Sequence, residues 1–455
     1  MTLPRYPEYR GSGVPWLGDT PVHWPVLPLK AIASGQVDGF IDGDWIESRH
    51  LAGTGIRYIT TGNVGPGFYK EQGSGYISEK TFIELRCKVV EPGDVLISRL
   101  NAPIGRACLA PDLGTRVVTS VDNVIVRPRP QFDRRFIVFR LTSPDYLHEA
   151  GTIASGATMQ RISRSELGNM RVAFPPFDEQ VAVATFLDRE IAKIDALIAE
   201  QEKIIALLAE KRQATISHAV TRGLDPDAPM KDSGVAWLGE VPAHWDVARL
   251  KRLVLSIEQG WSPQCENFPA EDPEEWGVLK VGCVNGGVFD AKENKKLPPE
   301  LAARPEYALK AGDLLISRAN TKELVGSAAV VPSNFDRLLL CDKLYRLRLA
   351  RDECLPDYAA AVIGTREARS QIELAATGAS SSMLNIGQSV VLDLPLPMPT
   401  LDEQRAIIDF LRSETDRLAA LSGGAQHGVA LLKERRSALI AAAVTGQIDV
   451  REAMQ

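Results

Sequence analysis

A chain of 455 residues, 45% hydrophobic and 24% charged, has room for two or more cores, and its formal net charge of −6 excludes an evenly basic nucleic-acid-binding surface. Any nucleic-acid contact must come from Lys and Arg concentrated locally, or from positive surface supplied by a partner. No apolar run approaches membrane-span length, the opening residues show no hydrophobic signal region, and six scattered cysteines lack CxxC pairing or paired His ligands; the expectation is a cytoplasmic protein with reduced thiols, no metal site and no membrane contact.

From the N-terminus, residues 13–30 (GVPWLGDTPVHWPVLPLK) return as residues 234–251 (GVAWLGEVPAHWDVARLK), with eleven of eighteen positions alike, among them Trp16 with Trp237, His23 with His244 and Trp24 with Trp245. A segment so rich in Trp and Pro is expected to fold over a core surface as an entry strand or turn. Neither histidine has an acidic or thiol neighbour in sequence, so both read as packing or capping residues rather than ligands or bases. Residues 56–69 and 277–290 each alternate apolar and polar positions into a Gly-rich turn, the mark of a strand and turn. GDVLISR (93–99) and GDLLISR (312–318) come next, each a turn leading into a buried strand with a Ser-Arg tip, and Asn101 and Asn320 lie two residues beyond. GRACLAP and GSAAVVP supply a further short strand. GATMQRIS (156–163) and GASSSMLNI (378–386) then precede strands running into proline, MRVAFPP (170–176) and LDLPLPMP (392–399).

Each half closes on a long helix, within residues 175–225 and 399–449. Both open with Asp-Glu-Gln after a proline-rich lead, which places Asp178 and Asp402 as N-caps, and both stop at a glycine, Gly223 or Gly446. Between those ends Leu187, Ile191, Ile194, Ile198, Gln201, Ile205 and Leu208 step by four and three, a heptad seam. The same positions 224 residues on are Leu411, Thr415, Leu418, Ser422, Ala425, Val429 and Leu432, a weaker seam that also carries Gly423 and Gly424. A helix of this length, about 66 Å, needs a partner, and its own repeat is the obvious one.

The chain is therefore a tandem duplication of mixed domain and long helix, an α+β architecture. Its divisions are a first domain at 1–176, a first helix at 177–223, a second domain at 224–399, a second helix at 400–447 and a tail at 448–455. The repeat is circular: the segment after the first helix is found again at the N-terminus. The expected object is pseudo-two-fold, with the helices forming an antiparallel coiled coil and the termini close together. Such a calliper suits a ligand with approximate two-fold symmetry, of which duplex DNA is the leading candidate, and the helices would set the spacing of two half-sites.

Signs of catalysis are few. There is no GxxxxGK[ST] loop and no GxGxxG between strand and helix. FPPF at 174–177 is similar to the tetrapeptide of amino-methyltransferases, but Phe174 stands where Asp or Asn would hold an amine, so the stretch reads as a helix entry. Glu293-Asn294-Lys295 lacks the remainder of a nuclease cluster.

The paired WLG…P.HW segments, the GD.LISR strands and the FDEQ or LDEQ helix entries together resemble the specificity subunits of type I restriction–modification enzymes, over nearly the whole chain. The resemblance implies two target-recognition domains, each reading one half of a bipartite double-stranded DNA target, with the helical pair as spacer. It implies no cofactor on this chain. S-adenosylmethionine would sit on two partner methyltransferase subunits, and ATP and Mg on motor-nuclease subunits. Residues that the halves share should then serve scaffold, docking or phosphate contact, and residues that differ should read bases. Shared Arg99, Arg318, Asn101 and Asn320 are candidate phosphate or near-base contacts, with a strand-end salt bridge as the alternative for the arginines. Divergent polar residues are candidate base readers: Gln36, Arg49, Thr158, Gln160, Arg161 and Arg164 in the first domain, and Gln259, Gln264, Lys292, Lys295, Ser381 and Asn385 in the second. A competing expectation keeps the architecture but makes the chain a DNA-free scaffold bridging two copies of a protein partner.

Overall fold

The computed structural model describes residues 4–33, 35, 38–72, 75–156, 159–380 and 383–451. Each half builds two four-stranded sheets. In the first half, one sheet orders Phe40–Asp42, Asn123–Val126, Val95–Ser98 and Ala107–Leu109, all antiparallel. The other orders Val117–Thr119, Ile56–Ile59, Gly75–Ile77 and Leu51–Ala52, with a single parallel pair. The second half repeats the plan. Val254–Gln259, Leu344–Leu349, Leu314–Ser317 and Ala328–Val330 form an antiparallel sheet. Asn294–Lys296, Gly277–Leu279, Phe335–Leu339 and Ala308–Leu309 form the mixed one. The duplicated strands Val95–Ser98 and Leu314–Ser317 are buried at every residue, as their near-continuous apolar runs require.

The first long helix runs unbroken over Phe177–Arg222 and the second over Leu401–Val444. Both end one or two residues before the expected glycine, and Gly223 and Gly446 adopt φ of 75° and 73°, the left-handed conformation that terminates helices. Their beginnings correct the sequence reading. Asp178 and Asp402 fall inside the first turn, because the amides of Glu179 and Gln180 already donate to Pro176 O. In the second helix Thr400 is the cap: its hydroxyl accepts from Glu403 N, and the Glu403 carboxylate accepts from Thr400 N at 2.9 Å.

Two compact units divide the chain within the helices. One comprises everything up to Glu202 together with His427 onwards, and the other runs from Lys203 to Gln426. In the first unit, Val183, Ala184, Leu187 and Ile191 share a core with Ile440, Ala443 and Val444 and with the strand residues Val95 and Ile97. Asp195 pairs with Arg436 at 2.9 Å and Glu202 with Lys433 at 3.7 Å, so one helix rises as the other falls. The second unit joins Ala219 and Val220 to Ile407, Leu411, Leu314 and Ile316, again antiparallel. Each fully buried Leu, Ile or Val contributes roughly 1.5–3 kcal/mol, so the helix ends are fixed by the domain cores as well as by the seam.

The seam follows the heptad. In the first helix Leu187, Ile191 and Ile194 are buried, and Ile198, Gln201, Ile205 and Leu208 are half-buried between exposed neighbours. In the second, Leu411, Leu418, Ala425 and Val429 are buried and Thr415, Ser422 and Leu432 half-buried. Gly423 and Gly424 sit within the unbroken helix on its exposed side, and a Cβ added to either meets nothing within 4 Å. Changing both to alanine should therefore raise the unfolding free energy of the second unit by about 2 kcal/mol, measured by denaturant melting. An unchanged midpoint would mean that this turn is not helical in solution.

Within the first unit, segments near the two ends of the described chain meet. Asp449 N donates to Pro4 O at 2.8 Å, and Tyr9 Oη donates to Gly446 O at 2.8 Å.

Candidate nucleic-acid interface

Nine of the sixteen candidate residues lie at the duplicated Ser-Arg strand tip. In the first unit the chain leaves Val95–Ser98 through Arg99 and Leu100, and Leu100 bridges antiparallel to Arg161. That bridge brings exposed Asn101, held at φ 62°, alongside exposed Gln160. Arg161 pairs with Asp122 at 2.8 Å, and Arg164 approaches Asp42 at 3.5 Å. Arg99 pairs with the same Asp42 at 3.1 Å and donates to Val121 O at 2.6 Å. It is only 4% exposed, and burial draws its pKa below the ordinary arginine value while Asp42 pulls the other way. Arg99 thus makes the strand-end ion pair weighed as one of its two roles.

In the second unit the same frame carries different chemistry. Ala319 pairs with Asn385 where Leu100 pairs with Arg161, and Asn320 pairs with Leu384. Arg318 donates to Asp342 O at 3.3 Å, and its guanidinium lies 5.8 Å from the ring centre of Tyr345. Tyr345 is the ladder partner of Gln259, which is exposed at the end of its strand. The short helix beyond begins with Arg164 in the first unit and with Gln388 in the second. The ladder position of Asp122 holds Lys343 in the second unit, and the carboxylate of neighbouring Asp342 accepts from Ser262 Oγ at 2.5 Å.

Arg49, Gln264, Lys292 and Lys295 lie elsewhere. Exposed Arg49 pairs with Glu47 at 2.9 Å. Lys295 belongs to the strand Asn294–Lys296 of the mixed sheet, Lys292 is exposed just before it, and Gln264 is exposed in the segment whose Glu266 N donates to Lys296 O. Gln36, Thr158 and Ser381 lie outside the described residues. The sequence reading missed Asp42 and Asp122, the acids that hold this arginine cluster. Nothing local marks them, because their partners lie tens of residues away.

A second shared constellation sits where each long helix begins. Glu179, 6% exposed, accepts from Tyr6 O–H, from Trp24 Nε1 at 3.0 Å and pairs with His23 Nε2 at 2.9 Å. Glu403 receives Trp245 Nε1 at 3.2 Å and His244 Nε2 at 2.7 Å. Both histidines thus pack against a helix-entry glutamate about 150 residues away. The next residue serves as a bracket in both copies. Gln180 accepts from Asp133 N and donates to Pro175 O, and Gln404 accepts from Leu355 N and donates to Pro399 O. The Asp-Glu-Gln motif therefore fastens each helix to its own domain.

Among the described residues no three His, Cys, Asp or Glu side chains converge on a metal site. Burial pushes the thiols of Cys108, Cys341 and Cys354 up to about 12, which leaves them as packing groups rather than nucleophiles. Phe174 is buried in the core and Gln180 bonds the Pro175 carbonyl, so FPPF is a helix entry. Glu293 pairs with Lys280 at 3.9 Å, and Asn294 is buried in backbone hydrogen bonds. No helix among the described residues is long and apolar enough to cross a membrane.

The specificity subunit of the type I restriction enzyme EcoEI from Escherichia coli is 30% identical over 172 residues, covering 38% of this chain and 29% of that protein. The EcoKI specificity subunit, also from Escherichia coli, is 24% identical over 288 residues, covering 62% and 59%. This chain is similar to type I restriction enzyme specificity subunits. The matches span about a third to three-fifths of those relatives' length. No protein-family model matches. In fold, it superposes with a TM-score of 0.62 on a chain solved in a study of complex assembly and conformational transition of the type I R-M system, at 18% identity, covering 93% of this chain and 98% of the other. The HsdS subunit from Thermoanaerobacter tengcongensis gives 0.50 at 17% identity, covering 94% and 98%. The mixed domains and paired long helices are thus those of HsdS structures.

Proposed function

We propose that this chain is the non-catalytic DNA-specificity subunit of a type I restriction–modification complex. Each mixed domain reads one half of a bipartite duplex target, and the helical pair sets the interval between halves and docks two methyltransferase subunits. S-adenosylmethionine belongs to those subunits, and ATP and Mg to motor-nuclease subunits. The observation that carries this reading is duplication with divergence: two copies of one strand-tip frame, lined by Arg161 and Arg164 in the first and by Asn385 and Gln259 in the second. Arginine pairs bidentately with guanine and Asn or Gln with adenine, so the two frames suit different half-sites.

The test uses the assembled complex. Its binding to duplex DNA should weaken steeply with salt. A methylation map of host DNA should show Arg164→Ala relaxing one half-site, and Asn385→Ala the other, each by roughly 5- to 100-fold for the affected base. Binding indifferent to sequence, or both variants relaxing the same half, would overturn the reading and favour the DNA-free scaffold.

A further inference from the structure

The internal repeat allows one site to be read from its copy. In the first unit Tyr6 fills a hole beside the helix entry. It is 3% exposed, donates its O–H to Glu179, meets Trp24 edge-on at 5.8 Å, and is covered by the Arg451 guanidinium at 5.1 Å. Arg451 is held by Asp449. The equivalent place in the second unit is open. A cavity of about 180 Å³ is lined there by Gly223, Pro242, His244, Trp245, Glu403 and Ile407. Strand register sets the correspondence: Tyr9 pairs with Pro21 as Met230 pairs with Pro242, so Tyr6 maps to Asp227, which is exposed. Asp225, the counterpart of Asp449, also lines the cavity and has no cation partner among the described residues. The volume suits one side chain rather than a drug-sized ligand, whose clefts measure roughly 300–1,000 Å³.

We propose that this cavity receives the tyrosine of a protein partner, with an adjacent arginine reaching Asp225, so that the partner supplies in trans what Tyr6 and Arg451 supply in the first unit. The argument for a tyrosine is the occupied copy: the same Trp, His and Glu surround a phenol there. The argument for a polypeptide is that Tyr6 arrives on a segment held through its backbone, by Asp449 N donating to Pro4 O and Tyr6 N donating to Tyr9 Oη. Glu403 is 36% exposed and can be reached. His244, 54% exposed, shares with Trp245 the carboxylate oxygen Oε1, the one that Tyr6 takes on Glu179. An incoming phenol therefore displaces it. The proposal does not depend on DNA reading.

The full chain, labelled with ¹⁵N at tryptophan, reports each site through one indole N–H. Adding p-cresol should shift the Trp245 signal and not the Trp24 signal in the unmodified chain. In Tyr6→Ala it should shift both, because the first site is then vacated. In Asp227→Tyr or Ala406→Phe, which fill the cavity from the loop or from the helix, the Trp245 signal should no longer respond. The acetylated, amidated dipeptide Tyr-Arg should bind at least tenfold more tightly than p-cresol and tenfold more tightly than Phe-Arg. An unresponsive Trp245 signal in the unmodified chain, or a response that survives both filling variants, overturns the site. A dipeptide no tighter than p-cresol overturns the partner tyrosine in favour of a free phenol.

Discussion

Glu179→Ala should be among the most damaging single substitutions in the first unit, costing about 3–5 kcal/mol, whereas Glu403→Ala at the equivalent position should cost only about 1–2 kcal/mol. Both glutamates follow the same aspartate and hold the same Trp and His. The difference lies in what surrounds them. Pro176 precedes the first helix and has no N–H or hydroxyl to offer, so the Glu179 carboxylate is free to take Tyr6. Removing it strands the Tyr6 hydroxyl and the Trp24 indole N–H, both in side chains at most 3% exposed. It also releases the segment that meets the C-terminal residues, where Asp449 N donates to Pro4 O. Thr400 precedes the second helix and occupies Glu403 as a capping partner, and that carboxylate reaches water. Loss there removes a cap and an exposed His pair, and it leaves the Trp245 indole N–H beside an open cavity that admits water rather than beside a buried phenol. Thermal melts should show a fall of about 10 °C or more for Glu179→Ala and a few degrees for Glu403→Ala. Equal falls would mean that Tyr6 contributes nothing to the clamp.

The same contrast has a pH signature. Burial alone would raise the Glu403 carboxyl, but hydrogen bonds from His244, Thr400 and Trp245 outweigh it and hold it at about 2, below the ordinary 4.5. A depressed carboxyl pKa stabilises the folded state above the unfolded value, and that stability is lost as pH falls through the folded one. Glu403 should therefore contribute fully above about pH 4.5 and progressively less down to about pH 2, by an amount reduced by its exposure to solvent.

The features legible in the sequence were those that depend on near neighbours. The seam from Leu187 to Leu208 could be read because a helix turns four-three residues into one face, and burial tracks that face residue by residue. Gly223 and Gly446 could be read because a helix stop asks for a local left-handed residue. The caps were misplaced by two residues because Asp178 and Asp402 have the chemistry of caps, while the actual choice was made by Pro176 O and Thr400. The candidate interface was legible in outline only. Arg99, Arg161 and Arg164 were identifiable by type, but their acids Asp42 and Asp122 come from other strands and turns. Arg99 is buried beside Asp42, whereas Arg161 is half-buried and Arg164 exposed. The division of each helix between two compact units was likewise invisible, because it rests on Ile440 and Val183 sharing one core across more than half the chain.

If the long helices fix the interval between half-sites, lengthening both by seven residues should move the preferred gap by about three base pairs while leaving each half-site sequence unchanged. Seven residues add about 10 Å of helix, and duplex DNA rises about 3.4 Å per base pair. Both helices must be extended, because each unit holds them in a fixed register, by Asp195 with Arg436 and Glu202 with Lys433 in the first and by the core around Val220 and Ile407 in the second, and one insertion alone cannot satisfy both. Insertion after Glu202 and after Gln426 lies at the division between the compact units, outside the cores around Leu187 and Ile407. A whole heptad is needed because any other length rotates the seam out of contact. Methylation of a library in which the gap between fixed half-sites varies gives the readout. The native gap should lose most of its modification, with the maximum displaced to the longer spacing. A maximum that stays at the native gap, with both half-sites still recognised, would mean that DNA deformation or partner subunits set the interval and that the helices only hold the domains together.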